Sequence, residues 1–408
     1  MKCRCCQAEL IRIFADLGTA PPTNSFLSHE QLNEPEVYYP LKVFVCDRCF
    51  LVQIDEFKKS TEIFSEDYVY FSSVSTSWLE HSKNYVEMIA KRLSLHEQSL
   101  VMEIASNDGY LLQYVKEKGI PCLGIEPTAS TAAAARAKGI PTLEEFFDDS
   151  LAVRLAGEGK QADLILGNNV LAHVPNINSF VGGLKFALKP TGTVTMEFPH
   201  VMRLVEQNQF DTIYHEHFSY LSLFVTDKIF ERYGLKIYDV DELPTHGGSL
   251  RIYAKHLANE AIPVSDNVGK ILEMERRCGM LMPDYYENFA KKPGKIKYDF
   301  LRFLLEAKTT GKTVAAYGAA AKGNTLLNYC GIKSDMLDFV CDRAESKQGK
   351  YLPGSRIPVV TEGVLKERKP DYVVIFPWNI RDEVEKQLAY THDWGCRFVI
   401  AIPELKIW

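Results

Sequence analysis

Leu100-Val-Met-Glu103-Ile-Ala105-Ser-Asn107-Asp108-Gly109-Tyr-Leu-Leu112 is a short apolar run that breaks at polar residues and then resumes with helical spacing through Val115. The pattern predicts strand, tight turn, helix. That unit aims backbone N–H groups and a helix N-terminus at a ligand above the carboxyl end of the first strand of an open α/β sheet. A second apolar run, Cys122 to Ile125, leads into Glu126, at about the distance where such a unit places the acid that holds ribose hydroxyls. Ala105, Ser106 and Asn107 stand where a dinucleotide fingerprint needs glycine, so a ligand without a pyrophosphate fits better. S-adenosylmethionine is such a ligand, and Glu103 and Asp108 are expected to face its cationic parts. An ordinary turn in which Asn107 or Asp108 merely caps the helix would carry the same residues.

Beyond this stretch, strands and helices alternate: helix over Ala129 to Ala137, strand over Asp163 to Gly167, helix over Asn178 to Leu188, strand over Thr193 to Phe198. That is the signature of a doubly wound, largely parallel sheet. Asn168, Asn169 and His173 follow a buried strand, where such folds bind ligands, and Asn169 and His173 share a face if a helix begins there. Tyr214-His215-Glu216-His217 is the densest chemical segment. His215 and His217 would share a face of an extended segment and suggest a metal; acid–base work by one imidazole is preferred, because further ligands are lacking nearby in sequence. Thr245-His246-Gly-Gly-Ser-Leu-Arg251 reads as a glycine turn before a strand, open to close ligand approach or to a plain hairpin. Upstream, Tyr68 and Tyr70 lie in a hydroxyl-rich segment that reads as an entry loop or as a plug between domains.

Ten cysteines are distributed unevenly. Cys3-x-x-Cys6 and Cys46-x-x-Cys49 form two knuckles able to complete a tetrahedral zinc site with no open position, hence a structural one. Cys5 is the odd thiol. Net charge is −6 without a long basic run, which argues against nucleic acid and against an anionic membrane surface. No stretch reaches bilayer-spanning length and the first residues lack a signal-peptide core, so a cytoplasmic protein is expected. Near the other end, Thr313-Val-Ala-Ala-Tyr-Gly-Ala-Ala-Ala-Lys322-Gly-Asn324-Thr resembles a phosphate loop in outline, but Asn324 occupies the lysine place, which argues against ATP hydrolysis. Lys322, Asn324 and Lys347 remain candidates for cradling a pyrophosphate, or parts of a fold-completing turn and a solvated basic loop.

Together the two Cys-x-x-Cys knuckles, Glu103 to Gly109, Asn168 to His173, Tyr214 to His217 and Thr245 to Arg251 resemble the sugar-nucleotide C-methyltransferases, which place a methyl branch on C3 of 4-keto deoxysugars such as those leading to mycarose and tetronitrose. The resemblance spans essentially the whole chain. It implies a zinc-binding domain over 1–65, an S-adenosylmethionine-dependent Rossmann-like domain over 66–258, a helical linker over 259–305, and a Rossmann-like α/β domain over 306–408 that helps hold the nucleotide. By that resemblance His217 is the expected base, with Tyr214, Glu216, Asn169 and His173 beside it. Glu103, Ala105, Asn107, Asp108, Gly109, Glu126 and Asn168 are expected at the cofactor, and Tyr68, Tyr70, His246, Arg251, Lys322, Asn324 and Lys347 at the nucleotide-sugar. A monomer or weak dimer is expected. The competing expectations are a methyltransferase for another small ketone and a nicotinamide-dependent sugar oxidoreductase, for which neither turn has the glycine pattern.

Overall fold

Leu41, Val43 and Val45 alternate with less buried neighbours along Tyr39–Val45, the period at which one face of a strand can enter a core. In the computed structural model, which describes residues 1–59, 62 and 71–408, this strand pairs antiparallel with Arg12–Ala20 and Val52–Ile54. A fourth strand was not foreseen. Ser219–Tyr220, directly after the Tyr-His-Glu-His segment, pairs with Val52 and Gln53 and completes the sheet. The amino-terminal module is therefore stitched to the middle of the chain.

Val101–Ile104 is buried at every residue, as a parallel strand covered on both faces must be. It pairs with Cys122–Ile125 on one side and Ala162–Asn168 on the other. The chain thus reverses direction across the sheet at this strand, and a crevice opens at the carboxyl ends where the organising turn sits. The sheet has seven strands, in the order Leu235–Leu243, Ser249–His256, Leu188–Pro199, Ala162–Asn168, Val101–Ile104, Cys122–Ile125, Thr142–Leu143. Ser249–His256 runs antiparallel to both neighbours. The expected glycine turn is thereby a hairpin end next to the crevice.

Helices Asp266–Arg277, Pro283–Glu287 and Lys292–Thr309 lead to a third sheet of six strands, in the order Val359–Val360, Val340–Cys341, Val314–Tyr317, Tyr372–Ile375, Arg397–Ile400, Lys406–Ile407. One apolar core runs without a break from Phe14 and Val43 of the first sheet to Val340 and Phe398 of the third. Among the described residues no helix is long and apolar enough to cross a membrane.

Candidate active site

Three residues of the organising turn have left-handed backbone: Ala105 (φ 55°), Asn107 (φ 49°) and Gly109 (φ 74°). Gly109 is needed twice over, since a Cβ there would also sit 2.4 Å from Ile140. Asn107 is held in place by Glu126, whose carboxylate accepts the N–H of Asn107 and of Thr128, each at 2.9 Å. Glu103 is fully buried, and among the described residues neither of its oxygens has a hydrogen-bond partner. Burial pushes its pKa well up, with the Tyr110 hydroxyl beside it pulling the other way. A carboxyl buried in this way is suited to meeting a cationic group, which would favour its charged form. Asp108 differs: Oδ2 accepts from Ser73 and lies 3.2 Å from Lys138 Nζ, so its charge is already answered within the chain. Asn168 donates to the Tyr110 hydroxyl at 3.3 Å, and the Asn107 side chain accepts the Ser72 N–H at 2.9 Å. Tyr68 and Tyr70 lie outside the described residues.

The Tyr-His-Glu-His segment is a turn, closed by the His217 N–H donating to the Tyr214 carbonyl at 2.9 Å. This removes the alternative of an extended segment with both imidazoles on one face. His215 Nε2 lies 3.2 Å from the Pro40 carbonyl, its ring edge-on to Tyr39 and Phe57 in the amino-terminal module. His217 goes elsewhere: Nδ1 donates to the Thr212 carbonyl at 2.8 Å, the ring lies 3.9 Å from that of Tyr214, and His173 meets it edge-on at 4.7 Å. Nδ1 thus carries the proton and Nε2 the lone pair. Burial, reinforced by His173, pulls the His217 pKa well below 6.5, and burial takes His173 down to about 4. Both rings are neutral at pH 7. Glu216 accepts from Asn24 at 2.7 Å and is pushed up to about 7 by burial.

Asn169 and His173 do not share a helical face either. Asn169 is left-handed (φ 58°), and a single turn, Leu171–His173, follows it. Its amide nitrogen lies 2.9 Å from His246 Nε2, and His246 is itself left-handed (φ 53°). Strained positions of this kind persist where surrounding contacts over-determine them, often at functional sites.

The sulfurs of Cys3, Cys6, Cys46 and Cys49 lie within 4.8 Å of one another, with 3.5 Å between Cys3 and Cys49 and between Cys6 and Cys46. Four thiolates around a zinc ion at about 2.3 Å stand about 3.8 Å apart, so the cluster fits the ion with little adjustment. Cys5 lies outside it, with Arg232 donating to its carbonyl at 2.6 Å. The knuckle also grips the site: Arg4 donates to the Pro175 carbonyl at 3.0 Å and to that of Ile54, and Asn178 donates to the Arg4 carbonyl at 2.9 Å.

Three family models match in chain order: a zinc-binding domain over residues 3–64, a methyltransferase domain over 78–240 and a C-methyltransferase carboxyl-terminal domain over 244–403. C-methyltransferase NovU of Streptomyces niveus is 32% identical over 406 residues, covering 100% of this chain and 96% of that one. The chain belongs to the C-methyltransferase family. Solved structures are similar over part of its length. One is an S-adenosylmethionine-dependent methyltransferase from Clostridium acetobutylicum (12% identical, 44% of this chain and 92% of that one, TM-score 0.36). Another is the magnesium protoporphyrin IX methyltransferase of Synechocystis with its bound cofactor (14% identical, 44% and 80%, TM-score 0.33). This C-methyltransferase uses S-adenosylmethionine and carries its zinc in the four-cysteine cluster.

Several residues that organise the methyltransferase's site carried no motif. Glu197, fully buried, lies 2.7 Å from Arg251 and 2.9 Å from His81, and accepts from Thr245 at 2.8 Å. Its backbone carbonyl accepts the Asn169 N–H at 2.7 Å. One residue therefore ties the Asn169 loop to the His246 loop. Arg251, expected at the substrate, is only 5% exposed and is taken up by this node. His81 stacks on Trp78 at 5.0 Å, and Trp78 in turn approaches Tyr110 at 6.0 Å and His246 at 5.3 Å. Trp78 bridges the cofactor turn and the hairpin. From the third domain, Trp378 donates to Asp211 at 2.7 Å and packs on Gly247, where a Cβ would come 2.5 Å from the indole. Lys322 donates to Asn379 at 2.8 Å, with its ammonium 4.4 Å from the centre of the Trp378 ring. Asn324, by contrast, is fully buried and donates to the Thr23 carbonyl at 2.6 Å, a link between domains. Lys347 donates to the Ala319 carbonyl at 2.9 Å and so braces the turn that was a candidate for cradling phosphate.

Proposed function

We propose that this enzyme methylates a ring carbon next to a ketone in a nucleotide-linked deoxysugar, with C3 of a 4-keto-6-deoxyhexose as the favoured position. The observation that carries the proposal is His217, a neutral imidazole whose Nδ1–H is fixed on the Thr212 carbonyl so that Nε2 is the basic nitrogen. An imidazole in that state accepts a proton from carbon, which is general-base chemistry. His217 Nε2 takes the proton, the C–H pair becomes the enolate double bond, and the ketone oxygen gains the charge. Tyr214, His173 and the Asn169–His246 pair surround the base and supply donors for that oxygen. S-adenosylmethionine supplies an electrophilic methyl whose carbon–sulfur pair leaves with sulfur. The imidazolium then passes its proton to water, so substrate C–H has become C–CH₃ with one proton released.

Glu103 and the left-handed turn held by Glu126 support the cofactor's placement at the crevice, a few residues in space from Trp78 and the histidines. Glu216 and Lys322, at the seams with the first and third domains, support a substrate lying between domains. The test uses a panel of keto-sugar nucleotides with methyl-labelled S-adenosylmethionine, followed by mass analysis. Label should enter a carbon beside the ketone, and His217→Asn should lower turnover by about 10²–10⁴. Transfer to a simple ketone but to no nucleotide-linked sugar would replace the proposal with a methyltransferase for another small substrate.

A further inference from the structure

The turn after Val314–Tyr317 was a candidate for holding a phosphate as well as a plain fold-completing turn, and its backbone is committed elsewhere. The Ala319 N–H donates to Asp342 at 2.6 Å, and the Ala319 carbonyl accepts from Lys347. Lys322, two residues past this turn in the first turn of helix Ala321–Cys330, points to a different place. Its ammonium lies over the Trp378 ring, the same indole that packs on Gly247 beside His246 and that donates to Asp211, six residues before His217. Of the three ammonium N–H groups, one donates to Asn379, and the other two have no hydrogen-bond partner among the described residues. The positive charge is felt by His217, His246 and Asp211 alike, which puts it among the groups that surround the base.

Chemical need points the same way. A neutral, half-buried imidazole of lowered pKa is a weak base, and a carbon acid beside a ketone gives up its proton to a weak base only if the oxyanion is strongly stabilised. Tyr214, Asn169, His173 and His246 offer neutral donors. A charged donor makes a hydrogen bond roughly twice as strong, and at a water-poor seam its field is less screened than in solvent.

Resting on the proposed C-methylation, we infer that Lys322 is a catalytic residue: its ammonium donates a hydrogen bond to the substrate ketone oxygen and carries the enolate's charge. The third domain then completes the chemical site as well as closing over the nucleotide. No proton leaves Lys322 in the step. The C–H electron pair moves onto carbon and oxygen, the proton goes to His217, and the ammonium stays charged before and after.

Proton exchange isolates this step. Wild type, a keto-sugar nucleotide that it methylates, and S-adenosylhomocysteine in place of the donor are mixed in D₂O, and deuterium entry beside the ketone is followed by mass or magnetic resonance. Lys322→Gln should slow exchange and methyl transfer together by about 10²–10³, the usual loss for one oxyanion donor, while substrate Kd moves less than about fivefold. S-adenosylmethionine affinity reports an intact central domain, and Lys322→Met, which keeps an unbranched side chain of similar length without the charge, serves if the Gln variant loses it. Exchange at the wild-type rate in either folded variant overturns the inference, as does a large rise in substrate Kd with turnover unchanged, which would make Lys322 a phosphate contact. If wild type itself exchanges no proton beside the ketone of a sugar that it methylates, the enolate reading fails along with the inference.

Discussion

Replacing Arg251 by Met tests whether the Glu197 node holds the site together. Desolvation pushes the Glu197 pKa up, but His81, the Arg251 charge and Thr245 more than reverse this and leave it at about 2, against an ordinary 4.5. At 1.36 kcal/mol per pH unit, that difference corresponds to about 3 kcal/mol of folding free energy. Glu197 has no exposed side-chain surface, so solvent screening does not reduce the figure much. Breaking a buried pair by removing one partner costs about 3–5 kcal/mol, which agrees. For a unit of about 200 residues, Arg251→Met should lower Tm by about 6–12 °C. A group whose folded pKa is depressed contributes stability above its unfolded value and loses it as pH falls through the folded one. The variant's deficit should therefore be full at pH 7 and begin to shrink as pH drops below 4.5 toward 2. Calorimetry at pH 7 and at pH 4 measures both quantities. Adding Glu197→Gln to Arg251→Met should recover much of the loss, because no charge is then left buried and unpaired. A loss under about 1 kcal/mol, or an equal deficit at both pH values, would refute the reasoning.

Zinc should act on turnover through position. Strong chelation, or Cys46→Ser, frees the module that pairs with Ser219–Tyr220 and contacts His215, so turnover should fall about tenfold or more while S-adenosylmethionine affinity changes little; metal analysis should find one zinc per chain, and equal loss of cofactor binding would count against the idea. The pH profile should lack an acid limb near 6.5, because burial and the neighbouring His173 keep His217 unprotonated well below that value; a limb at 6.5 that His217→Asn removes would contradict the geometry. On the alkaline side turnover should fall as pH rises through about 8, where burial brings the Lys322 ammonium to deprotonation against the opposing pull of Asp211, and Lys322→Arg should move that limb out of the measurable range.

What was legible in the sequence was local. The Cys-x-x-Cys spacing, the strand-turn-helix around Asn107 and the alternation of strands with helices each place their residues within a few positions, and the structure forms each as expected. The segment from Tyr214 to His217 shows where this stops, because periodicity cannot separate an extended run from a turn over four residues, and the hydrogen bond from His217 to Tyr214 decides it. Glu197 was one polar residue in an apolar strand and Arg251 was expected at the substrate, and nothing in either stretch says that they face each other across the sheet register. Trp378 reaches Asp211 over 167 positions, and Ser219–Tyr220 is too short to show an alternation of its own. The missed contacts share one physical cause. Each joins two units whose own patterns were already complete, so the residues involved exceed what those patterns require: a carboxylate inside a buried strand, a tryptophan after a proline, a glycine that its turn only partly explains. Gly247 illustrates the point, since its positive φ suits the hairpin, while the missing Cβ is needed by an indole from another domain. The histidines proposed for catalysis are therefore held from three directions, by the zinc module, by the Glu197 node and by the third domain through Trp378, and the proposed substrate would be enclosed among groups that all three supply.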